Sequence, residues 1–369
     1  MRRKLVLFGA GERGAKFLCM NFPHEVEAIF DNYKCGKFYG IEIEKPRYIS
    51  NIFIVVACFH YLEIRNQLIS LGYCEFEDFI PEQIYGKKIA VAYGNCHAEI
   101  VRQYLGRNRD FSKEYGFYPF PMIQAMKDDF DYEQILSHCN LFIDQAIRDA
   151  NRYGKKYASS ALSDCLSQTC LRVCIPNLYG LPRCFFPQLG GGGTGFLPSG
   201  EVNIMKWYRE GWTKEEMMDK MLEGGIYSEE YIISLWEEFR EKLLIREREW
   251  DIKISDYIFE HYKTKKLFTN PNHITSELAR EISIRTLKYL GYKAEYPYII
   301  PAMDDLEVFI YKDVKKALGL EYDEIYIRNY ARYLLMEERD VDIEEYINQC
   351  YQSCAFYLST QNGATDLNV

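Results

Sequence analysis

Short apolar runs alternate with helical periodicity along most of the chain. Lys4 to Phe8, Val26 to Phe30 and Ile52 to Cys58 read as buried parallel strands, and Ala15 to Met20 and Tyr61 to Leu71 as helices between them. After a connector over Asp78 to Gly86, with Pro81 and Gly86 as breakers, the pattern restarts. Lys88 to Tyr93 is a strand and Ala98 to Leu105 an amphipathic helix, and further strands are expected at Leu141 to Ile143 and Leu171 to Ile175. From Thr213 the spacing turns helical: Lys214 to Glu223, Ser228 to Trp250 with Tyr231, Leu235, Phe239, Leu243 and Ile245 as apolar positions, Asp251 to Tyr262, and Ser276 to Leu290. Ala302 to Tyr357 is also mainly helical in pattern, including Ile325 to Leu335 and Ile343 to Leu358, and reads as a helical cap or an oligomerisation arm. Gln361 to Val369 is expected to be a frayed tail. The pattern predicts an α/β protein with domains over 1–86 and 87–300 and a helical extension over 301–369.

Strand–turn–helix context gives Gly9, Gly11 and Gly14 a meaning. This G-x-G-x-x-G spacing permits a tight turn and a close approach of phosphate to a helix start, and Asp31 and Asn32 end the next strand where a ribose hydroxyl would lie. The fingerprint predicts a Rossmann-like sheet over 1–86 with a possible nucleotide or nucleotide-sugar site. The order of elements over residues 1–85 resembles the nucleotide-sugar-binding domain found at the N-terminus of some sugar acetyltransferases, although no hexapeptide repeat follows it.

The second candidate site begins with Gly94-Asn95-Cys96-His97, between strand and helix. A thiol there meets backbone N–H groups and the positive end of the helix dipole, which favour a thiolate or hold an oxyanion. The motif, with His97 in place of the usual Gln, resembles the Gly-Asn-Cys-Gln opening of the WcbI-like family of polysaccharide-biosynthesis enzymes. The resemblance runs from about Lys87 to Tyr292 and includes Asp144-Gln145 at a strand end, Phe185-Phe-Pro-Gln188, and Leu267-Phe-Thr-Asn-Pro-Asn-His273 before a helix, where the order of Asn, Pro and His is altered.

That resemblance implies acetyl transfer from coenzyme A to a sugar or glycan precursor during capsule or exopolysaccharide synthesis. Cys96, His273 and Asp144 are then the catalytic candidates, with His273 as base, and Gly94, Asn95, His97, Gln145, Gln188 and Asn272 line the substrate and coenzyme pocket. The run Gly190 to Gly193 adds a loop whose N–H groups suit phosphate. The strand–turn–helix layout equally fits an SGNH-type esterase of acylated sugars, and a non-catalytic sugar-nucleotide scaffold would keep only the N-terminal motif. A nicotinamide-dependent oxidoreductase would use Gly9, Gly11, Gly14 and Asp31, but the Tyr-x-x-x-Lys pair of common sugar dehydrogenases is not seen.

Composition narrows these readings. A net charge of −9 and 48% hydrophobic residues describe a globular chain and argue against a general nucleic-acid binder. With no run of 18 apolar residues, no membrane span is expected and the cytoplasm is the expected location. The 12 cysteines show no CxxC pair. They read as reduced thiols, and no metal site is predicted from Cys165, Cys170, Cys174 and Cys184. A homo-oligomer is compatible with the helical extension.

Overall fold

The computed structural model describes residues 3–20, 25–126, 130–148, 153–189, 201–294, 307–322, 327–328 and 340–364. The chain divides into two compact units, Met1–Val173 and Cys174–Val369.

The first unit holds two sheets. Strands β1 (Lys4–Phe8), β2 (Val26–Phe30), β3 (Gly36–Phe38), β4 (Ile41–Glu44), β5 (Ile52–Val56) and β6 (Phe79–Pro81) assemble in the order β3-β4-β2-β1-β5-β6. All pairs are parallel except β3 with β4. Helices α1 (Glu12–Met20) and α2 (Tyr61–Ser70) follow β1 and β5. The central strands are apolar along their length because both faces are covered, as a parallel sheet requires. The segment expected as a connector instead supplies β6, where Phe79 is fully buried and Pro81 sits on a sheet edge that does not need its missing N–H.

The second sheet comprises β7 (Lys88–Tyr93), β8 (Tyr115–Phe117), β9 (Leu141–Gln145) and β10 (Leu171–Ile175), in the order β10-β9-β7-β8. Helices α3 (Cys96–Arg107) and α4 (Arg109–Glu114) lie between β7 and β8 in sequence, α5 (Tyr132–Ser137) precedes β9, and α6 (Ser159–Ser163) precedes β10. One hydrophobic core serves both sheets, with Phe8, Phe30 and Ile54 of the first and Val91, Tyr93 and Phe142 of the second in the same cluster. Gly116 shows how closely they approach: a Cβ there would lie 1.9 Å from the backbone oxygen of Gln83.

The second unit is mainly helical. It contains α7 (Val202–Arg209), α8 (Lys214–Glu223), α9 (Glu229–Glu247), α10 (Ser255–His261), the short pair β11 (Phe268–Asn270) and β12 (His273–Ile274), α11 (Ser276–Tyr289) and α12 (Lys312–Leu318). Thr213 and Glu216 close a capping box on α8, and Ser228 and Thr275 cap α9 and α11. The buried stripe of α9 is Ile232, Trp236, Phe239, Leu243 and Glu247, whereas Tyr231 and Ile245 face solvent. Phe239 and Leu243 are buried as expected, and Ile232 and Trp236 join them in place of Tyr231 because Trp236 and Phe239 both pack on Phe185, with Tyr262 against Trp236 at 4.2 Å.

Two C-terminal expectations change. Ile327–Arg328 forms β13, paired with β14 (Asp340–Val341), where helix was expected over 325–335; the rest of that span lies outside the described residues. Helix α13 (Ile343–Ala364) continues through Gln361, which was expected in the tail. Among the described residues no helix is long and apolar enough to cross a membrane.

Glu201, the N-cap of α7, is fully buried, accepts from the Asn203 N–H at 3.1 Å and from the Tyr311 hydroxyl at 2.9 Å. Burial pushes its carboxyl up to about 8, and these hydrogen bonds offset that only in part. The native state therefore holds this proton where the unfolded chain, near 4.5, has lost it. Glu201 favours folding below pH 4.5 and loses that contribution as pH rises toward 8. Glu201→Gln is expected to flatten this slope in thermal melts and to raise the melting temperature at pH 8 relative to the parent.

Candidate functional site

The turn from β7 into α3 is built around Gly94. Its φ of +150° disfavours other residues, and an added Cβ would stand 2.3 Å from Gln145 Oε1. Pairing of Tyr93 with Asp144 brings the ends of β7 and β9 together, and Gln145 Oε1 accepts the Asn95 N–H at 2.8 Å. Asn95 Oδ1 in turn accepts the His97 N–H at 2.9 Å and caps α3. Cys96 is the first residue of this helix and is half-buried, whereas His97 is buried beneath it. Gly94→Ala is expected to destabilise the protein by about 1–3 kcal/mol through backbone strain and the clash with Gln145. Urea denaturation checks this.

Behind the turn, β9 is pinned from both sides. The Ser159 hydroxyl donates to the Gln145 backbone oxygen at 2.7 Å and accepts the Ile147 N–H at 3.0 Å. Asp144 is fully buried and takes a two-pronged ion pair from Arg172, with both contacts at 2.9 Å. Arg172 reaches it from the neighbouring strand β10. Asp144 thus fixes the strand ends beside Cys96 and carries a countercharge of its own. Sequence reasoning did not find Arg172 or Ser159, because nothing local in a strand names its cross-sheet partner.

In the second unit, His273 is half-buried on β12, opposite Asn270 of β11. Asn270 Oδ1 accepts the Asn272 N–H at 2.9 Å, which shapes the tight connection between these strands, and Thr275 starts α11 two residues after His273. Gln188 is buried and donates to the Phe309 backbone oxygen at 2.7 Å, while its own carbonyl accepts the Val202 N–H at 2.9 Å. That residue ties three chain segments together. The glycine run after it lies outside the described residues.

The N-terminal fingerprint forms the turn it predicts. Gly9 has φ +118° and a Cβ there would lie 2.5 Å from the Ala57 backbone oxygen, while a Cβ on Gly14 would lie 2.0 Å from the Gly9 backbone oxygen, so Gly9 lets the turn pass close to the end of β5 and Gly14 lets α1 pack onto the turn. Space around Gly11 is open. Asp31 accepts the N–H groups of Ala10, Tyr33 and Lys34, each at 2.9 Å, and so locks β2 to the glycine turn. Burial raises the Asp31 carboxyl, but these three N–H groups outweigh it and hold the group below the ordinary carboxylate range. Asn32 exchanges two hydrogen bonds with Gln67, at 2.8 and 2.9 Å. Asp31 and Asn32 therefore have structural work within the protein.

Comparisons with known proteins agree with this architecture. A solved structure of WcbI, described as a novel polysaccharide biosynthesis enzyme in a native form without the disulfide bond between coenzyme A and a cysteine, superposes with a TM-score of 0.62 at 19% sequence identity, covering 73% of this chain and 90% of that one. No curated protein matches the sequence. The sequence model of the polysaccharide biosynthesis enzyme WcbI matches residues 89–295, more than half of the chain, from Ile89 in β7 through α11. The chain belongs to the WcbI family of polysaccharide biosynthesis enzymes.

Proposed function

We propose that this enzyme transfers an acyl group, acetyl in the simplest case, from coenzyme A to a hydroxyl of a sugar or glycan precursor in capsule or exopolysaccharide synthesis. The observation that carries the reading is Cys96 as the first residue of a well-capped 12-residue helix, held by Asn95 and Gln145 at the carboxyl ends of β7 and β9. Helix starts of this kind attract anionic groups. The WcbI structure is described by the absence of a disulfide between coenzyme A and a cysteine, which names a coenzyme thiol and a cysteine as potential partners in that protein and supports assigning the thiol end of the coenzyme to Cys96 here. The protein would work in the cytoplasm, where coenzyme A is supplied.

In direct transfer, His273 takes the proton of the sugar hydroxyl, whose oxygen attacks the thioester carbonyl. The new C–O bond forms, the C–S bond breaks, and the coenzyme leaves as a thiolate. If Cys96 attacks first, it forms a thioester with the acyl group and releases the coenzyme before the sugar oxygen takes the acyl group over. Charge on the acyl oxygen is stabilised at the start of α3, where Asn95, His97 and Gln145 lie. The roles of His273, Asn272 and Gln188 rest on the likeness of their segments to the family. Titration calorimetry of the full chain with coenzyme A tests the reading. Saturable heat is expected, and no heat at millimolar coenzyme would contradict it.

A further inference from the structure

The first unit contains a cavity of about 680 Å³ that includes none of the residues assigned above. Its walls come from one face of α1, the 3-10 turn Glu82–Ile84, the second half of α3, and β8. Five cationic side chains line it, Arg13, Lys16, Lys87, Arg102 and Arg107, against the carboxylates of Glu12 and Glu82. This excess of positive charge lies in a chain whose net charge is −9. Arg13 is paired with Glu82 and Arg102 with Glu99, but Lys16, Lys87 and Arg107 have no ion-pair partner among the described residues. An anion entering here meets uncommitted cations.

The cavity also has an apolar side. Phe59 is 75% exposed and lies under the Arg13 guanidinium, 5.1 Å from it, and Met20 is 64% exposed. Large exposed apolar groups beside a cavity mark a surface that a flat ring can cover, and Arg over an aromatic face extends the stacking platform.

We propose that this cavity is a second ligand site, for a nucleoside phosphate group: a flat base against Phe59 and Arg13, and phosphates toward Lys16, Lys87 and Arg107. Ten of its eighteen lining residues precede residue 89, where the family match begins. It also differs from the glycine turn, where Asp31 and Asn32 are engaged in holding the fold. The proposal does not depend on the reading of Cys96.

Calorimetry with UDP, ADP, inorganic pyrophosphate and coenzyme A tests it on the full-length protein. The variants are Lys16→Glu/Arg107→Glu, two exposed positions whose reversal leaves the core untouched, and Phe59→Ala. At least one nucleoside diphosphate should bind, the double reversal should weaken it about tenfold or more, and Phe59→Ala should weaken nucleotide but not pyrophosphate binding. Equal weakening of coenzyme A would assign the group to the nucleotide end of the coenzyme; weakening of the diphosphates alone would assign it to a free nucleotide or sugar nucleotide. Circular dichroism confirms that the variants fold. No nucleoside diphosphate binding at millimolar concentration, or binding unchanged by the double reversal, would overturn the proposal.

Discussion

Replacing Cys96 by alanine is expected to lower acyl transfer by about a hundredfold or more, and His273→Ala to do the same. Each variant removes a different part of one reaction, so the double variant should be little slower than either single one. Alanine at 96 keeps the start of α3, because the cap is made by Asn95 and the turn by Gly94 and Gln145, none of which needs the sulfur. A rate loss in Cys96→Ala with an unchanged melting temperature therefore reports on chemistry rather than folding. His273→Ala adds a second readout, since loss of a base should lower the rate of transfer while coenzyme binding persists. Variants as active as the parent would move the function away from both residues.

A comparably large effect, on stability, is expected at Glu75. This carboxylate is buried and accepts from Arg65 Nε at 2.7 Å, the Tyr61 hydroxyl at 2.5 Å and the Tyr118 hydroxyl at 2.7 Å. Tyr61 belongs to α2 and Tyr118 follows β8, so one carboxylate links elements of both sheets of the first unit. Burial first, and the charge of Glu75 with it, pushes both phenols well up, and they remain donors throughout the usual pH range. Glu75→Ala strands the Arg65 guanidinium, which is almost wholly buried, without a counterion. Losing one partner of such a pair costs about 3–5 kcal/mol. Urea titration should show that loss, and a change under about 1 kcal/mol would mean the network is dispensable.

Much of this was legible in the sequence because it is local. The strand β7, the glycine turn and the start of α3 are written in consecutive residues, as are the capping residues Thr213, Ser228 and Thr275. What stayed hidden depends on residues distant in sequence. The pattern names Asp144 and Asp31 as strand-end carboxylates but does not show Arg172 arriving at the first from β10, or the N–H groups of Ala10, Tyr33 and Lys34 donating to the second. The shared core of the two sheets was equally silent, since Pro81 and Gly86 look like a linker until Phe79 is seen buried in β6. On α9 Phe239 and Leu243 were read as buried and are, whereas the N-terminal half differs because aromatic partners outside the helix chose Trp236 over Tyr231.

The assignment of the coenzyme's thiol end to Cys96 can be tested by its selectivity among thiols. Cys19, Cys35 and Cys74 are exposed, whereas Cys96 is only half-exposed, so accessibility alone predicts that a disulfide reagent labels those three first. Coenzyme A disulfide offers the coenzyme in reactive form: a protein thiolate attacks one sulfur, a mixed disulfide forms and one coenzyme A leaves as thiolate. Brief exposure of the protein to it, followed by peptide mass spectrometry, should place the adduct on the peptide holding Cys96 ahead of the exposed cysteines. A small disulfide such as cystamine should show no such preference. Adducts confined to Cys19, Cys35 and Cys74, with Cys96 unlabelled, would contradict a coenzyme site at the start of α3.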